Sequence, residues 1–232
     1  MNKQKGQMYD WITHTSTHLG GKCPHECEYC SIQDLQKRFP EQLPYSGELR
    51  LKEKEFSVKY GTDKTIFIEN CNDLFALGVG YEQVVRILNH CNEWPDNTYV
   101  FQTKNPYGML LHYQRFPLKS VLGVTIETNR ENNLGKAPYR SYRFDSMRRV
   151  SYGGFYDTFI TIEPIMDFDI EEFADKIINV KPTFVNIGAD SKNHGLPEPH
   201  IEKVMDLVRV LAGAGIDIRE KHNLERLRNA NT

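Results

Sequence analysis

Short β-rich runs alternate with segments of helical period along most of this chain, and that alternation restricts its possible folds more than any other feature. Runs rich in β-branched and aromatic residues occupy Asp10 to Thr13, Thr65 to Glu69, Tyr99 to Thr103, Val121 to Ile126, Thr158 to Ile162 and Phe184 to Ile187. Apolar residues recur at helical spacing between and after them: Val84, Ile87, Leu88 and Cys91; Phe173, Ala174, Ile177 and Ile178; Ile201, Val204, Met205, Val208 and Leu211, the last stripe ending at Gly213 and Gly215. Strand and helix in turn predict βα units and a parallel sheet. Six such strands predict an α/β protein built as an open, partial (β/α)6 barrel of the TIM type. With 232 residues, no long linker and no internal repeat, one domain spanning 1–232 is the simplest organisation. The polar stretch 31–62, which carries Pro40 and Pro44, predicts a helix over Ile32 to Arg38.

Composition narrows the setting. No apolar run approaches the roughly 18 residues of a membrane span, and MNKQKGQMYDWITHT lacks the apolar core of a signal peptide. A cytoplasmic protein is expected. Twenty-nine basic residues against 31 acidic ones leave no electrostatic footprint of nucleic acid on the molecule as a whole, so such a partner must be held locally.

Five cysteines, an odd number with three inside GGKCPHECEYC, do not form a disulfide framework; clustered thiols in a cytosolic chain more often bind metal. Cys23, Cys27 and Cys30 supply three soft thiolates, which leave a four-iron cube with one iron lacking a protein ligand, and an open iron is a place for chemistry. Gly20 and Gly21 let the loop wrap closely, and Pro24 stiffens it. The competing reading is one structural zinc ion held by the triplet and a nearby His14, His18 or His25, although no second pair of ligands is evident.

The pattern Cys23-x-x-x-Cys27-x-x-Cys30, with Tyr29 directly before the last cysteine, resembles the signature of the radical S-adenosylmethionine (radical SAM) superfamily. Its position after the first strand matches as well. The runs IENCNDLF, QTKNP, GVTIET and TIEPIM further resemble a branch of that superfamily often found in phage genomes. The resemblance implies a 4Fe-4S cluster whose free iron chelates the cofactor's amino and carboxylate groups. It also implies reductive cleavage to a 5'-deoxyadenosyl radical that abstracts hydrogen from substrate, driven by an external electron donor of the flavodoxin or ferredoxin type.

Alternation along the strands identifies which side chains face inward. Gly123, Thr125 and Glu127 point away from the helix-facing Leu122, Val124 and Ile126. Phe67, Glu69 and Cys71, Gln102 and Lys104, Thr161 and Glu163, and Asn186 follow the same rule. Polar groups therefore gather at the C-terminal ends of the strands, where barrel enzymes keep their active sites. By resemblance, Tyr29 sits beside the adenine, and Glu69 and Asn70, with Asn72 and Asp73, serve the methionine ammonium, although the usual Gly-Gly-Glu form is absent. Thr125 and Glu127 are candidates for the ribose hydroxyls and Lys104 for the methionine carboxylate or an anionic substrate, with Gln102 and Glu163 as further cofactor contacts. Cys71 is either a small hydrophobe of the wall or a donor of hydrogen to a product radical; Cys91 belongs to a helix's apolar stripe.

Between the fourth and fifth strands, Arg130, Lys136, Arg140, Arg143, Arg148 and Arg149 interleave with Tyr139, Tyr142 and Phe144. Guanidinium groups pair with phosphates and aromatic rings stack on bases, so this segment suits a nucleotide or an extruded base, including a hypermodified thymine undergoing radical rearrangement. The alternative is a helix over Arg140 to Val150 with a merely solvated basic face. A different class of function, a zinc-stabilised nucleic-acid-binding module without turnover, would use the triplet as a clip and this segment as its contact surface.

Overall fold

The computed structural model describes residues 1–4, 8–41 and 45–229. One eight-stranded sheet organises them, with strands β1 (Asn2–Lys3), β2 (His14–Ser16), β5 (Thr65–Ile68), β6 (Thr98–Thr103), β7 (Ser120–Thr125), β8 (Asp157–Ile162), β9 (Phe184–Ile187) and β10 (Asp217–Glu220) in that order. A separate two-stranded ribbon, β3 (Leu19–Gly20) with β4 (Arg50–Leu51), lies in the connection between β2 and β5. From β2 to β10 every neighbouring pair is parallel; only β1 runs antiparallel, against β2. The two edge strands do not pair with each other, so the barrel is open.

Helices α1 (Ser31–Arg38), α2 (Tyr81–Asn92), α3 (Pro106–Leu111), α4 (Arg140–Tyr152), α5 (Ile170–Val180), α6 (Ile201–Gly213) and α7 (Glu225–Asn229) complete the chain. The connections from β5 onward place α2 to α6 on the outer face, as right-handed crossovers require. Ile66, Phe101, Leu122, Val124, Ile160 and Val185 face these helices, whose buried stripes include Val84, Ile87, Leu88 and Cys91 in α2 and Phe173, Ala174 and Ile177 in α5. In α6 the buried residues are Val204, Leu207 and Leu211, with Met205 and Val208 only half-buried.

Two expectations are corrected. The strand expected at Asp10 to Thr13 is β2, His14–Ser16, because Asp10 and Trp11 form a turn in which the Ile12 amide donates to the Tyr9 carbonyl (3.0 Å). That turn drops Tyr9, Trp11 and Ile12 into the barrel, where they pack on Phe67, Val100, Phe159 and Phe184 and close its floor. Gly123 permits this packing, since a Cβ there would lie 2.1 Å from the Phe159 ring. The sheet also has two strands beyond the six expected: β1 is only two residues long, and β10, with the sequence DIRE, has three charged residues of four and no apolar run. The predicted helix at Ile32 to Arg38 is α1; Pro44 lies outside the described residues. No helix among the described residues is long and apolar enough to cross a membrane.

Candidate active site

The cysteine loop crosses the mouth of the barrel between the β3 strand and α1. Gly21 opens it with φ +90, and a Cβ there would lie 2.1 Å from the Glu48 carbonyl oxygen, so the close approach of the two chains needs glycine. The Glu26 amide donates to the Cys23 carbonyl (3.3 Å) and the Cys30 amide to the Cys27 carbonyl (3.1 Å), which folds the loop into successive turns ending at the N-cap of α1. Inside the loop, buried His25 bonds through Nε2 to Asp73 Oδ2 at 2.8 Å. Asp73 also accepts from the Thr103 hydroxyl (2.7 Å) and the Lys104 amide (2.8 Å), so one carboxylate ties the loop to the end of β6. Burial pushes the Asp73 carboxyl up, but His25 and these donors outweigh it and hold the group below its ordinary range.

A second clamp comes from the β7–α4 connection. The Glu28 amide donates to the Leu134 carbonyl (3.1 Å) and the Lys136 amide to the His25 carbonyl (2.6 Å), while Gly135, at φ +150, lies flat on Cys27. Lys136 Nζ adds an ion pair to Glu26 at 2.5 Å.

Tyr29 points inward to Glu127, donating its hydroxyl to Oε1 at 2.5 Å. Glu127 has no exposed surface and is ringed by cations: Lys104 Nζ, Arg143 Nη1 at 3.0 Å and Arg140 Nε at 3.4 Å. Burial alone would raise its pKa; Lys104, Arg143 and Arg140 together hold it well below the usual carboxylate range. Glu127 therefore stands behind the wall of the site, supporting Tyr29 and Lys104.

A cavity of about 470 Å³ opens at the C-terminal ends of the strands. Cys23, Cys27, Tyr29 and Cys30 form one side of it. Asn70, Cys71 and Glu69 contribute from the end of β5, Gln102 and Lys104 from β6, Thr125 from β7, and Glu163 from the end of β8. The three thiols and most of the inward polar residues expected from alternation thus share one cavity. All three thiols are free; burial pushes Cys23 up to about 12, with Asp73 adding to the effect, and raises Cys27 as well.

Several side chains in this wall are already engaged. Glu69 sits at φ +64, a conformation costly for a residue with a side chain, and its carboxylate accepts from the His18 amide (2.5 Å), the Leu19 amide (3.2 Å) and His18 Nδ1 (3.0 Å). It fixes the start of the cysteine connection. Asn70 Oδ1 accepts from the Thr17 hydroxyl at 2.6 Å. Gln102 accepts from the Tyr9 hydroxyl (2.7 Å) and donates to Thr125 Oγ1 (2.8 Å). Glu163 receives Lys221 Nζ at 2.6 Å and Asn223 Nδ2 at 2.7 Å. Burial raises the Cys71 thiol, and the neighbouring Tyr45 and Thr17 act in the opposite sense.

Sequence reasoning missed Tyr9, Lys221 and the group around His194. Tyr9 was hidden by a misplaced strand, and Lys221 by the unrecognised β10. His194 lies at the cavity rim between Asp190 Oδ1 (2.7 Å) and Asp34 Oδ2 of α1 (3.0 Å), joining two segments 160 residues apart. No local pattern announces such a bridge.

The basic segment is corrected by burial. Arg140 and Arg143 are only 5% and 3% exposed and pair with Glu127, so they cannot contribute to an external nucleic-acid surface; Arg148 and Arg149 are exposed on α4. The histidines of the zinc reading are also committed elsewhere. His25 bonds Asp73, His18 has both ring nitrogens engaged by Glu69 and Tyr60, and His14 bonds the Thr13 hydroxyl. Among the described residues, no three His, Cys, Asp or Glu side chains converge closely enough to hold one ion.

The open parallel sheet, outer helices and mouth-spanning loop define the class: this is the α/β partial barrel of the radical SAM type. Solved structures with that architecture include a spore photoproduct lyase variant with bound AdoMet and dinucleoside spore photoproduct, at 13% identity and TM-score 0.59, covering 91% of this chain and 63% of that one. A second spore photoproduct lyase variant aligns at 11% identity and TM-score 0.60 over 93% of this chain and 78% of the other. Streptococcus suis SuiB bound to S-adenosylmethionine aligns at 9% identity and TM-score 0.53, over 90% of this chain and 50% of SuiB. No family model matches the chain, and no curated protein does.

Proposed function

We propose that this chain is a radical SAM enzyme. The carrying observation is the presence of the three free thiols of one Cys-x-x-x-Cys-x-x-Cys loop on the wall of a cavity at the mouth of an open barrel. Their donor chemistry fits a 4Fe-4S cluster: they are soft ligands, too few to saturate a four-iron cube, with Cys27 buried and Cys23 and Cys30 half-buried in one cavity wall. When bound, the cluster supplies the electron that cleaves S-adenosylmethionine to methionine and a 5'-deoxyadenosyl radical.

The chain's own residues bind and orient. Tyr29, braced by Glu127, offers a fixed aromatic face for the adenine. Asn70, with Glu69 beside it, offers acceptors for the methionine ammonium, and Lys104 a cation for its carboxylate. Thr125 and Gln102 are within the same cavity for the ribose, with Glu127 acting through Tyr29 and Lys104 instead of as a direct ribose ligand. Glu163, paired with Lys221, lies toward the substrate end. Enclosure by the cysteine loop, α1 and the His194 bridge keeps water from the radical. Cys71 is the candidate hydrogen donor, because it lies on the cavity wall. An external flavodoxin- or ferredoxin-type protein would deliver the electron, and free thiols with a reduced cluster suit a reducing cytoplasm.

For substrate we propose a nucleobase within a nucleotide or nucleic acid. The support is the cavity's mixture of amides, carboxylates and rings, together with the dinucleoside photoproduct bound by the lyase variant of the same fold. Salt-sensitive binding of single- or double-stranded DNA that weakens when Arg148 and Arg149 become Ala supports a polymer substrate; no binding to either supports a free nucleotide.

Anaerobic reconstitution tests the main reading. A brown protein with about four irons that forms 5'-deoxyadenosine, and loses both properties on Cys27→Ala, establishes it. A colourless protein with one zinc, inert toward the cofactor, overturns it in favour of the nucleic-acid-binding module.

A further inference from the structure

The charges around Glu127 do not balance. Lys104, Arg140 and Arg143 surround this one buried carboxylate, and the next acidic group, Glu131, is partly exposed and reaches only Arg140, at 3.7 Å. The surplus positive charge lies behind the cysteine loop. Lys104 Nζ sits 5.1 Å from the centroid of the ring of Tyr29, the residue directly before Cys30, and Lys104 lines the same cavity as Cys23, Cys27 and Cys30. On the other side of the loop the carboxylate of Asp73 is bonded to His25, two residues after Cys23. Lys104 is the cation whose position is fixed from both ends: its amide donates to Asp73 and its ammonium pairs with Glu127.

We propose that Lys104, backed by Arg140 and Arg143, is the fixed counter-charge of the metal cluster and raises its reduction potential. The inference rests on the radical SAM reading above. One-electron reduction adds a negative charge to a cluster already carrying thiolate charge, and a nearby cation in a poorly screened site stabilises the reduced form more than the oxidised one. Glu127 does not cancel this field. It holds three cations in place and is outnumbered by them, while Tyr29 transmits the placement to the loop. Lys104 is in this respect a positioning and electrostatic residue, distinct from any contact it makes with the cofactor's carboxylate.

The test is a potentiometric titration of the reconstituted protein, followed by electron paramagnetic resonance, with no S-adenosylmethionine present. Omitting the cofactor separates counter-charge from carboxylate binding. Lys104→Met is expected to lower the midpoint potential and to leave iron content unchanged. Lys104→Arg keeps the charge and is expected to stay near the parent. Arg209→Met removes an exposed cation on α6 and is expected to leave the potential where it was. Iron lost in Lys104→Met but kept in Lys104→Arg also supports the proposal, since charge is then needed to retain the anionic cluster. A Lys104→Met protein with full iron at the parental potential, a Lys104→Arg protein displaced as far as Lys104→Met, or iron lost from both overturns it. A parent protein that assembles no four-iron cluster overturns the radical SAM reading itself, and that result is distinguished before any variant is compared.

Discussion

Ionising a carboxylate that has no exposed surface is unfavourable unless cations surround it, and Glu127 meets Lys104, Arg140 and Arg143. Replacing it with Gln leaves those cations facing a neutral amide. Glu127→Gln is expected to lower unfolding stability by about 3–5 kcal/mol in urea denaturation, and Arg143→Met in the same chain to recover part of the loss. The pH dependence has a definite sign: the native group titrates below its ordinary 4.5, so its contribution is complete above that value and disappears as pH falls toward the native pKa. Alternation continued past the end of β7 placed this residue among the polar groups of the mouth, whereas it is buried behind the cavity wall. The pattern carried no information on the arginines, which return from α4 only after the chain has crossed the barrel mouth.

The cysteine loop is held by elements remote in sequence. The Leu134–Lys136 segment lies on it so closely that a Cβ at Gly135 would come 2.8 Å from the His25 carbonyl oxygen and 3.0 Å from Cys27 Cα. Gly135→Val is expected to increase the rate of iron loss to a chelator about tenfold, a weakening of about 1.4 kcal/mol, with the far-ultraviolet dichroism of the sheet and helices unchanged. The His194 bridge between α1 and the β9–α6 connection is a second tie. Burial lowers the imidazole pKa, but Asp190 and Asp34 outweigh it and raise the group above 6.5. The stability it contributes is therefore complete below pH 6.5 and lost as pH rises through the raised native value. The difference in unfolding stability between the parent and His194→Gln should be largest near pH 6 and shrink above neutrality; a difference independent of pH would contradict the charged bridge.

Over the molecule as a whole, an open barrel must fill its interior without closing its mouth. Phe159 stacks on Phe184 with ring centroids 5.0 Å apart and meets Tyr9 and Trp11 edge-on, forming the floor beneath the cavity. Phe159→Ala is expected to cost about 3–5 kcal/mol, read as a lower urea midpoint with a similar slope. This division of the interior, aromatic below and polar above, is partly legible in the strands. Phe67 precedes Glu69, and Gly123 precedes Thr125, on the same inward face. Periodicity likewise specified the five strands from β5 to β9 and the apolar stripe of α2, because those signals arise within a few neighbouring residues. The triplet's spacing made a thiolate metal site legible before any coordinates. The short edges β1 and β10, the turn that became the floor, the inward course of Arg140 and Arg143, and the bridges Glu163–Lys221 and Asp34–His194 were not legible. Each depends on groups brought together only when distant βα units assemble, and a side chain's local sequence does not encode which remote charge will take up its hydrogen bonds.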